Sequence, residues 1–506
     1  MTAAALAALL LPAALSAAPS VKDGVIVISD VADPVSLDPH REFDASSDNI
    51  VNQLFDGLVR LSSSGAVLPA LALSWRRVDA VTMEFALRPG VFFHDGEPFD
   101  AEAVRFSLAR QLDPARPAPN AGLLANLAGV EVVDPLTVRL KTKEPDGVLL
   151  NKLPMFFKVL PPAYLAKVGD EGFARRPVGT GPFEFVGWER GRQVELKANP
   201  RYWAGPPALK TLVFRFLPRE RQLPLLLSGE ADMIADLSGL DTKRVAENPG
   251  FRVSKAKGFY TVSLLFNTMR GPFADVRLRQ AAAHAVNPHD LTRYGGMGNA
   301  DRLGTLTIPG QACYDHGPGG YSFDPAAARR LLAAAGVRRP RIKVLIRAEV
   351  SNFAKVLLHQ LKEAGFDAEA EVGSQETVFR KVVRPNLDPS AAPWEGDLVI
   401  THYVDPTAHV YFPYSILVHS KGPYSMVRDE EFDALFETMI RTLEPAPQRE
   451  LCRSLAELTH RKCLALSALQ VIRPVAARRG LRYEPQVTGM LEFRNVSWED
   501  GDDDDD

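Results

Sequence analysis

Cysteine is scarce in this chain. The three residues Cys313, Cys452 and Cys463, among 506, form no CxxC pair and no spacing suited to a metal or a thiol redox site. Cys452 and Cys463 fall in one predicted helical region, where eleven residues at about 1.5 Å rise hold them too far apart for a disulfide. All three read as free, buried thiols. Charge of one sign is not in excess either. Lys and Arg number 59 against 62 Asp and Glu, which leaves no overall basic field to draw in nucleic acid. No apolar run reaches the roughly 20 residues of a comfortable bilayer span, the one at the extreme N-terminus included. HExxH, GxSxG and GxxxxGK are absent, which removes the motif-readable hydrolases and nucleotide enzymes. A hydrolase built on two carboxylates that meet only in space carries no such motif, and it stands as an alternative from a different class. Gly179-Thr180-Gly181 lacks the third glycine of a dinucleotide loop, and no cofactor is expected.

What is present is enough apolar material, 46% of the chain, to bury a large core in roughly three domain-sized units. Ala3 to Leu15 is almost wholly apolar, and Ser16-Ala17-Ala18 offers small residues for cleavage, so residues 1–18 read as a secretory signal peptide despite having no Lys or Arg before them. No cysteine follows that leader, which argues against a lipid anchor. Residues 501–506 form an acidic tail expected to be disordered by self-repulsion.

The most informative stretch runs from Trp75 to Leu108. Val81, Met83, Phe85 and Leu87 alternate with polar or small residues at the period of a half-buried strand. Pro89-Gly90 and Asp95-Gly96 then supply turns, and Asp100 caps a helix continued by Val104 and Leu108. Further on, Ile342 to Ile346, a helix from Ser351 stopped by Gly365, and Phe366 to Val372 read as a βαβ unit. Leu464 to Val475 reads as one apolar strand. Alternation of strands and helices without a repeat makes the chain α/β.

Trp75, F-A-L-R-P-G-V-F-F-H-D-G-E-P-F from Phe85 and D-A-E-A-V-R-F-S from Asp100 together resemble the signature of the family 5 extracytoplasmic solute-binding proteins of peptide and nickel ABC importers. G-T-G-P-F from Gly179, N-P-R-Y-W from Asn199, and the Asn267, Pro272-Phe273, Asp275-Val276-Arg277 and Arg279-Gln280-Ala281 pattern extend the likeness to about Val25 to Val475. The resemblance implies a two-lobed periplasmic-binding-protein fold of type II, with mixed sheets, an extra inserted subdomain and a ligand cleft between the lobes. It divides the chain into lobe I (19–60), an inserted subdomain (61–166), lobe I again (167–267), lobe II (268–467) and a return to lobe I (468–500). It further implies a bacterial, periplasmic, monomeric binding protein rather than an enzyme. Such a protein captures a di- or oligopeptide or peptide-like compound by hinge closure and delivers it to ABC permease subunits.

By the same resemblance, the loop Asp33 to Ser36, with Val35 and Ser36 at its tip, faces the cleft, as do Tyr260, Asn267, Trp394, His402, Tyr403 and Asp405. Asn267 reads equally well as a tie between strand end and turn. Peptide-binding members carry an aspartate about four residues before an Asp-Pro or Glu-Pro pair, where its carboxylate grips the peptide's ammonium. Counted back from Pro406 that position holds His402, which leaves Asp405 as the candidate charge. Nickel-binding members hold a metal chelate with a histidine near the place of His419, so a metal or metal-chelate ligand is the alternative within the family, with His402, His409 and His419 as its candidate residues. Their spacings of 7 and 10 match no compact ligand motif. His94, inside the signature, reads as structural.

Overall fold

The computed structural model describes residues 24–30, 33–41, 45–116, 118–388 and 390–499, and the expected leader and acidic tail lie outside them. The chain begins with β1 (Gly24–Asp30), in which Val25, Ile26, Val27 and Ile28 are all buried, as an unbroken apolar run requires of a strand covered on both faces. The helix Ala45–Leu54 and a hairpin of β2 (Val59–Leu61) and β3 (Val67–Pro69) lead into the segment expected as an insertion. There β4 (Ala72–Asp79), β5 (Thr82–Leu87), β6 (Leu127–Asp134) and β7 (Thr137–Thr142) form an antiparallel sheet in the order β4-β5-β7-β6. Met83, Phe85 and Leu87 are buried, as their alternation predicts.

The helix Ala101–Gln111 packs on β6 and starts where the sequence indicates, with the Asp100 carboxylate accepting from the N–H groups of Glu102 and Ala103. Near its other end Arg110 donates to both carboxylate oxygens of the fully buried Asp38, at 3.1 and 2.6 Å. This bidentate pair fastens the insertion to the loop after β1. Gly179 and Gly181 are dictated by a close approach, because a Cβ on Gly179 would lie 2.0 Å from the Leu54 carbonyl oxygen and one on Gly181 2.5 Å from that of Gln53. His94 braces the same contact, its Nδ1 accepting from Gly179 N–H at 3.2 Å while Nε2 meets the Gly181 carbonyl at 3.0 Å.

Past this point come β8 (Phe183–Glu189), β9 (Gln193–Ala198), β10 (Thr211–Phe216), β11 (Met233–Ile234) and β12 (Phe251–Ala256). The chain continues through β13 (Tyr260–Phe266), β14 (Ala300–Arg302), β15 (Arg341–Arg347), β16 (Asp367–Gly373), β17 (Leu398–Val404), β18 (Ala465–Val471) and β19 (Arg473–Arg478). Among the described residues these form a seven-stranded sheet ordered β12-β19-β11-β1-β10-β9-β8 and a six-stranded sheet ordered β14-β18-β13-β17-β15-β16. β1 runs parallel to β10 and β11, and β15 parallel to β16 and β17. The helix Ser351–Ala364 joins β15 to β16 and ends at Gly365, whose φ of 115° only glycine adopts readily.

Two features depart from the sequence reading. β13 pairs with β17 and β18, so the chain enters the second sheet between β12 and β13, earlier than residue 267. The apolar run from Leu464 to Val475 is two strands: β18 belongs to the second sheet, β19 to the first, and Ile472 alone separates them. Both halves are buried, so composition carries no mark of the division.

The cysteines require a correction. Cys313 and Cys452, with Cα atoms 6.1 Å apart, form a disulfide that ties the loop after β14 to the helix Pro445–Lys462, and Cys463 alone is free. Nothing in local spacing marks a bridge across 139 residues. Closing so long a loop predicts a stabilisation of about 2–4 kcal/mol. Dithiothreitol should therefore lower the urea midpoint of the wild-type chain and leave the midpoint of a Cys313→Ser/Cys452→Ser double variant unmoved.

Burial lowers the pKa of His40 and His94 from 6.5 to about 4 and that of His409 to about 3, so all three are neutral when folded. A histidine with a depressed folded pKa supports folding above pH 6.5 and loses that support as the pH falls. Asp405, raised by burial to about 6, has the opposite sign, its contribution growing as the pH falls. Three groups against one give a net loss of stability from pH 6.5 towards pH 4, measurable as falling urea midpoints at pH 7.5, 5.5 and 4.5.

Candidate functional site

In open α/β sheets the ends of parallel strands leave a crevice where loops diverge. Here the carboxyl ends of β1 and β11 meet those of β15 and β17 at the place where the chain crosses between sheets. The crossings lie side by side, since Ala256, the last residue of β12, pairs with Arg473, the first of β19.

Arg473 sits beyond the end of β11, whose Ile234 pairs with Ala476. Its guanidinium is 3.3 Å from the Asp236 carboxylate, which Arg219, at the start of the helix Arg219–Ser228, also binds at 2.8 Å. Burial pushes the Asp236 carboxyl up, but Arg473 and Arg219 outweigh it and hold it below the usual carboxylate range. Arg473 also lies over the Tyr260 ring, 5.5 Å from its centroid. Tyr260 in turn stacks on His402, with ring centroids 4.8 Å apart and planes at 16°. A continuous wall thus runs from Asp236 on the first sheet to His402 on the second.

On the second sheet Arg347, the last residue of β15, faces the same wall. It is 3.2 Å from the Glu349 carboxylate and donates to Gln375 Oε1 at 2.8 Å. Burial, then Arg347 and Arg473, lower the His402 pKa well below 6.5, with Asp236 opposing, so the imidazole is neutral. Its Nδ1 is buried and has no hydrogen-bond partner among the described residues. Burial raises the pKa of Tyr260 and of Tyr424, which also feels Arg347 and Glu349. Behind Tyr260 and Arg473, the segment Gln486 to Leu491 encloses a cavity of about 30 Å³. That volume holds about one water, so the crevice is narrow here.

The structure divides the expected site residues. Val35, 67% exposed, and Ser36 lie beyond the carboxyl end of β1 on a loop held by Trp188, which donates to Asp33 at 2.8 Å, and by Arg190, which donates to the Pro34 and Val35 carbonyls. Tyr260 and His402 share the wall just described. Tyr403 does not, because neighbours on a strand face opposite ways: its ring is buried and its hydroxyl donates to the Leu306 carbonyl at 2.8 Å. Asp405 is also withdrawn. Its fully buried carboxylate accepts from Thr407 N–H and hydroxyl, from His409 N–H and from Gln311, which closes the turn after β17 and leaves no open charge.

Asn267 and Trp394 lie at the opposite end of the second sheet from Tyr260, a strand's length of about 20 Å away. Asn267 ties that end together, donating to the Gly396 carbonyl at 3.0 Å and accepting from Met269 N–H. The Trp394 carbonyl accepts from Arg270 at 2.8 Å, and its ring covers Gly396. The three candidate metal residues have separate surroundings. His409 Nδ1 accepts from Tyr411 N–H, and His419 Nε2 is 3.9 and 3.7 Å from the carboxylates of Asp433 and Glu437. Among the described residues no three His, Cys, Asp or Glu side chains gather as a metal site.

Arg219, Asp236, Arg347, Glu349 and Arg473 were not anticipated from sequence. Asp236 and Arg347 stand at or just past the carboxyl end of a strand, and that position is the signal that could have found them.

A family model described as "Bacterial extracellular solute-binding proteins, family 5 Middle" matches residues 66–423. The glutathione-binding protein GsiB of Salmonella paratyphi A (strain ATCC 9150 / SARB42) is 30% identical over 337 residues, covering 65% of this chain and 65% of that protein, so the match spans less than two thirds of the relative's length. The periplasmic binding protein DppA from Helicobacter pylori, solved with the peptide STSA, has a TM-score of 0.80 at 23% identity, covering 95% of this chain and 99% of the other. A dipeptide binding protein from Pseudoalteromonas sp. SM9913, in complex with Met-Leu, has a TM-score of 0.80 at 21% identity, covering 94% and 100%. These structures share the fold, and with the family match over most of its length the chain belongs to the bacterial extracellular solute-binding proteins of family 5.

Proposed function

We propose that the chain captures a small solute, a di- or oligopeptide or peptide-like compound, between the two sheets, closes over it by rotation about the two crossings, and delivers it to the permease subunits of an ABC importer. The seven-stranded sheet is then one lobe, carrying the insertion, and the six-stranded sheet the other. Family membership supports binding over catalysis, and the glutathione-binding relative supports a peptide-like solute in the periplasm. The observation that carries the reading is the wall Asp236–Arg473–Tyr260–His402, which spans the hinge so that one guest touches both lobes at once. Differential contact of that kind is what shifts a two-state hinge towards its closed form.

A solute selective for the closed native state stabilises it by RT ln(1 + [L]/Kd), about 2.7 kcal/mol at a hundred times Kd. A melting-shift screen of di- and tripeptides, glutathione, acylated peptides and Ni²⁺-histidine is expected to yield a solute that raises the Tm of the purified chain. Tyr260→Ala should weaken that solute about tenfold or more by removing the stacked ring. No shift from any compound at millimolar concentration would overturn the proposal.

A further inference from the structure

Two observations on the crevice wall constrain what the solute carries. The first concerns charge. Among the described residues the charged groups acting on Tyr260 and His402 are Arg347, Arg473, Asp236 and Glu349, and Arg219 stands one step behind them. Both carboxylates are already engaged, Asp236 by Arg219 and Arg473, Glu349 by Arg347 at 3.2 Å. Three guanidiniums face two carboxylates, so the wall carries an excess of positive charge that opposes an arriving ammonium, although the Glu349 side chain is 43% exposed. To pair with a carboxylate here, the ammonium would have to pull it out of an existing ion pair, leaving a partly buried guanidinium without its partner. Arg347 has a side-chain exposure of only 12%, which makes that exchange unfavourable.

The second observation is the His402 imidazole. It is fixed by the stack on Tyr260, and its buried Nδ1 lacks a partner. Native interiors rarely leave such an atom unmatched, and because it is covered as the crevice stands, a guest supplies the missing group only as the wall shifts on closure. A neutral imidazole can donate one hydrogen bond to a carboxylate, and the guanidiniums of Arg347 and Arg473 on either side reinforce an acceptor of negative charge.

Resting on the reading of this crevice as the solute site, we infer that the solute presents a carboxylate, not an ammonium, to the Tyr260–His402 wall. The solute class is then an acidic or N-acylated peptide-like compound whose free amine, where it has one, lies elsewhere.

The test uses three forms of one dipeptide, Ala-Phe with a free amine, N-acetyl-Ala-Phe and N-succinyl-Ala-Phe, titrated calorimetrically into the full mature chain. The succinylated form is expected to bind at least tenfold tighter than the free-amine form. His402→Asp should erase the preference for the succinylated form, since its own carboxylate takes the place beside Arg347 and Arg473 that the solute's would fill. His402→Asn, which stays neutral, should weaken the succinylated form while keeping it ahead of the free amine. Circular dichroism and the melting temperature confirm that each variant folds. Tighter binding of the free-amine form by the wild-type chain, or an undiminished preference for the succinylated form in His402→Asp, overturns the inference and leaves solute capture standing. If no form binds while another solute raises the melting temperature, the inference falls alone. If nothing in either panel binds, the reading of the crevice as a solute site falls with it.

Discussion

The Asp236 carboxylate is the contact on which the arrangement of the crevice depends. It belongs to the first sheet, yet it holds the guanidinium of Arg473, the residue at which the chain returns from the second sheet to the first. Asp236 is partly buried, with 26% of its side chain exposed, and the two guanidiniums offset the cost of that partial desolvation. Arg473, so placed, sets the electrostatic surroundings of Tyr260 and His402 across the hinge. The site is therefore a consequence of how the two sheets are joined, and not of a loop laid over a finished scaffold.

Much of the architecture was legible because it rests on local chemistry. Asp100 and Gly365 begin and end helices where their capping geometry requires, with φ of 115° at Gly365. The alternation of β5 and the apolar run of β1 translate directly into one-sided and two-sided burial. The exact crossing was not legible in composition: the resemblance placed the return at 468, whereas β18 and β19 are equally apolar and the chain changes sheets at Ile472. The disulfide was hidden for a similar reason, as it joins residues that only tertiary folding brings together.

The expected site residues lie in one stretch of each strand but are separated in space, and the separations have a common geometric origin. Tyr260 and Asn267 are close in sequence but occupy opposite ends of β13, just as His402 and Trp394 flank opposite ends of β17. His402 and Tyr403 are adjacent but point to opposite faces of one strand. A resemblance along the chain marks a neighbourhood. It does not say which end or which face of a strand a residue takes, and the pleat decides that.

The single residue between β18 and β19 also bears on how such a molecule would let go. Ile472 and the short link Lys257 to Phe259 are where the backbone passes between the seven-stranded and six-stranded sheets, so any rotation of one sheet against the other has to be taken up in those few residues. Under the proposed capture of a solute, the residues farthest from those two links travel most on opening, so a partner docked at that outer edge would hold the greatest leverage over unloading.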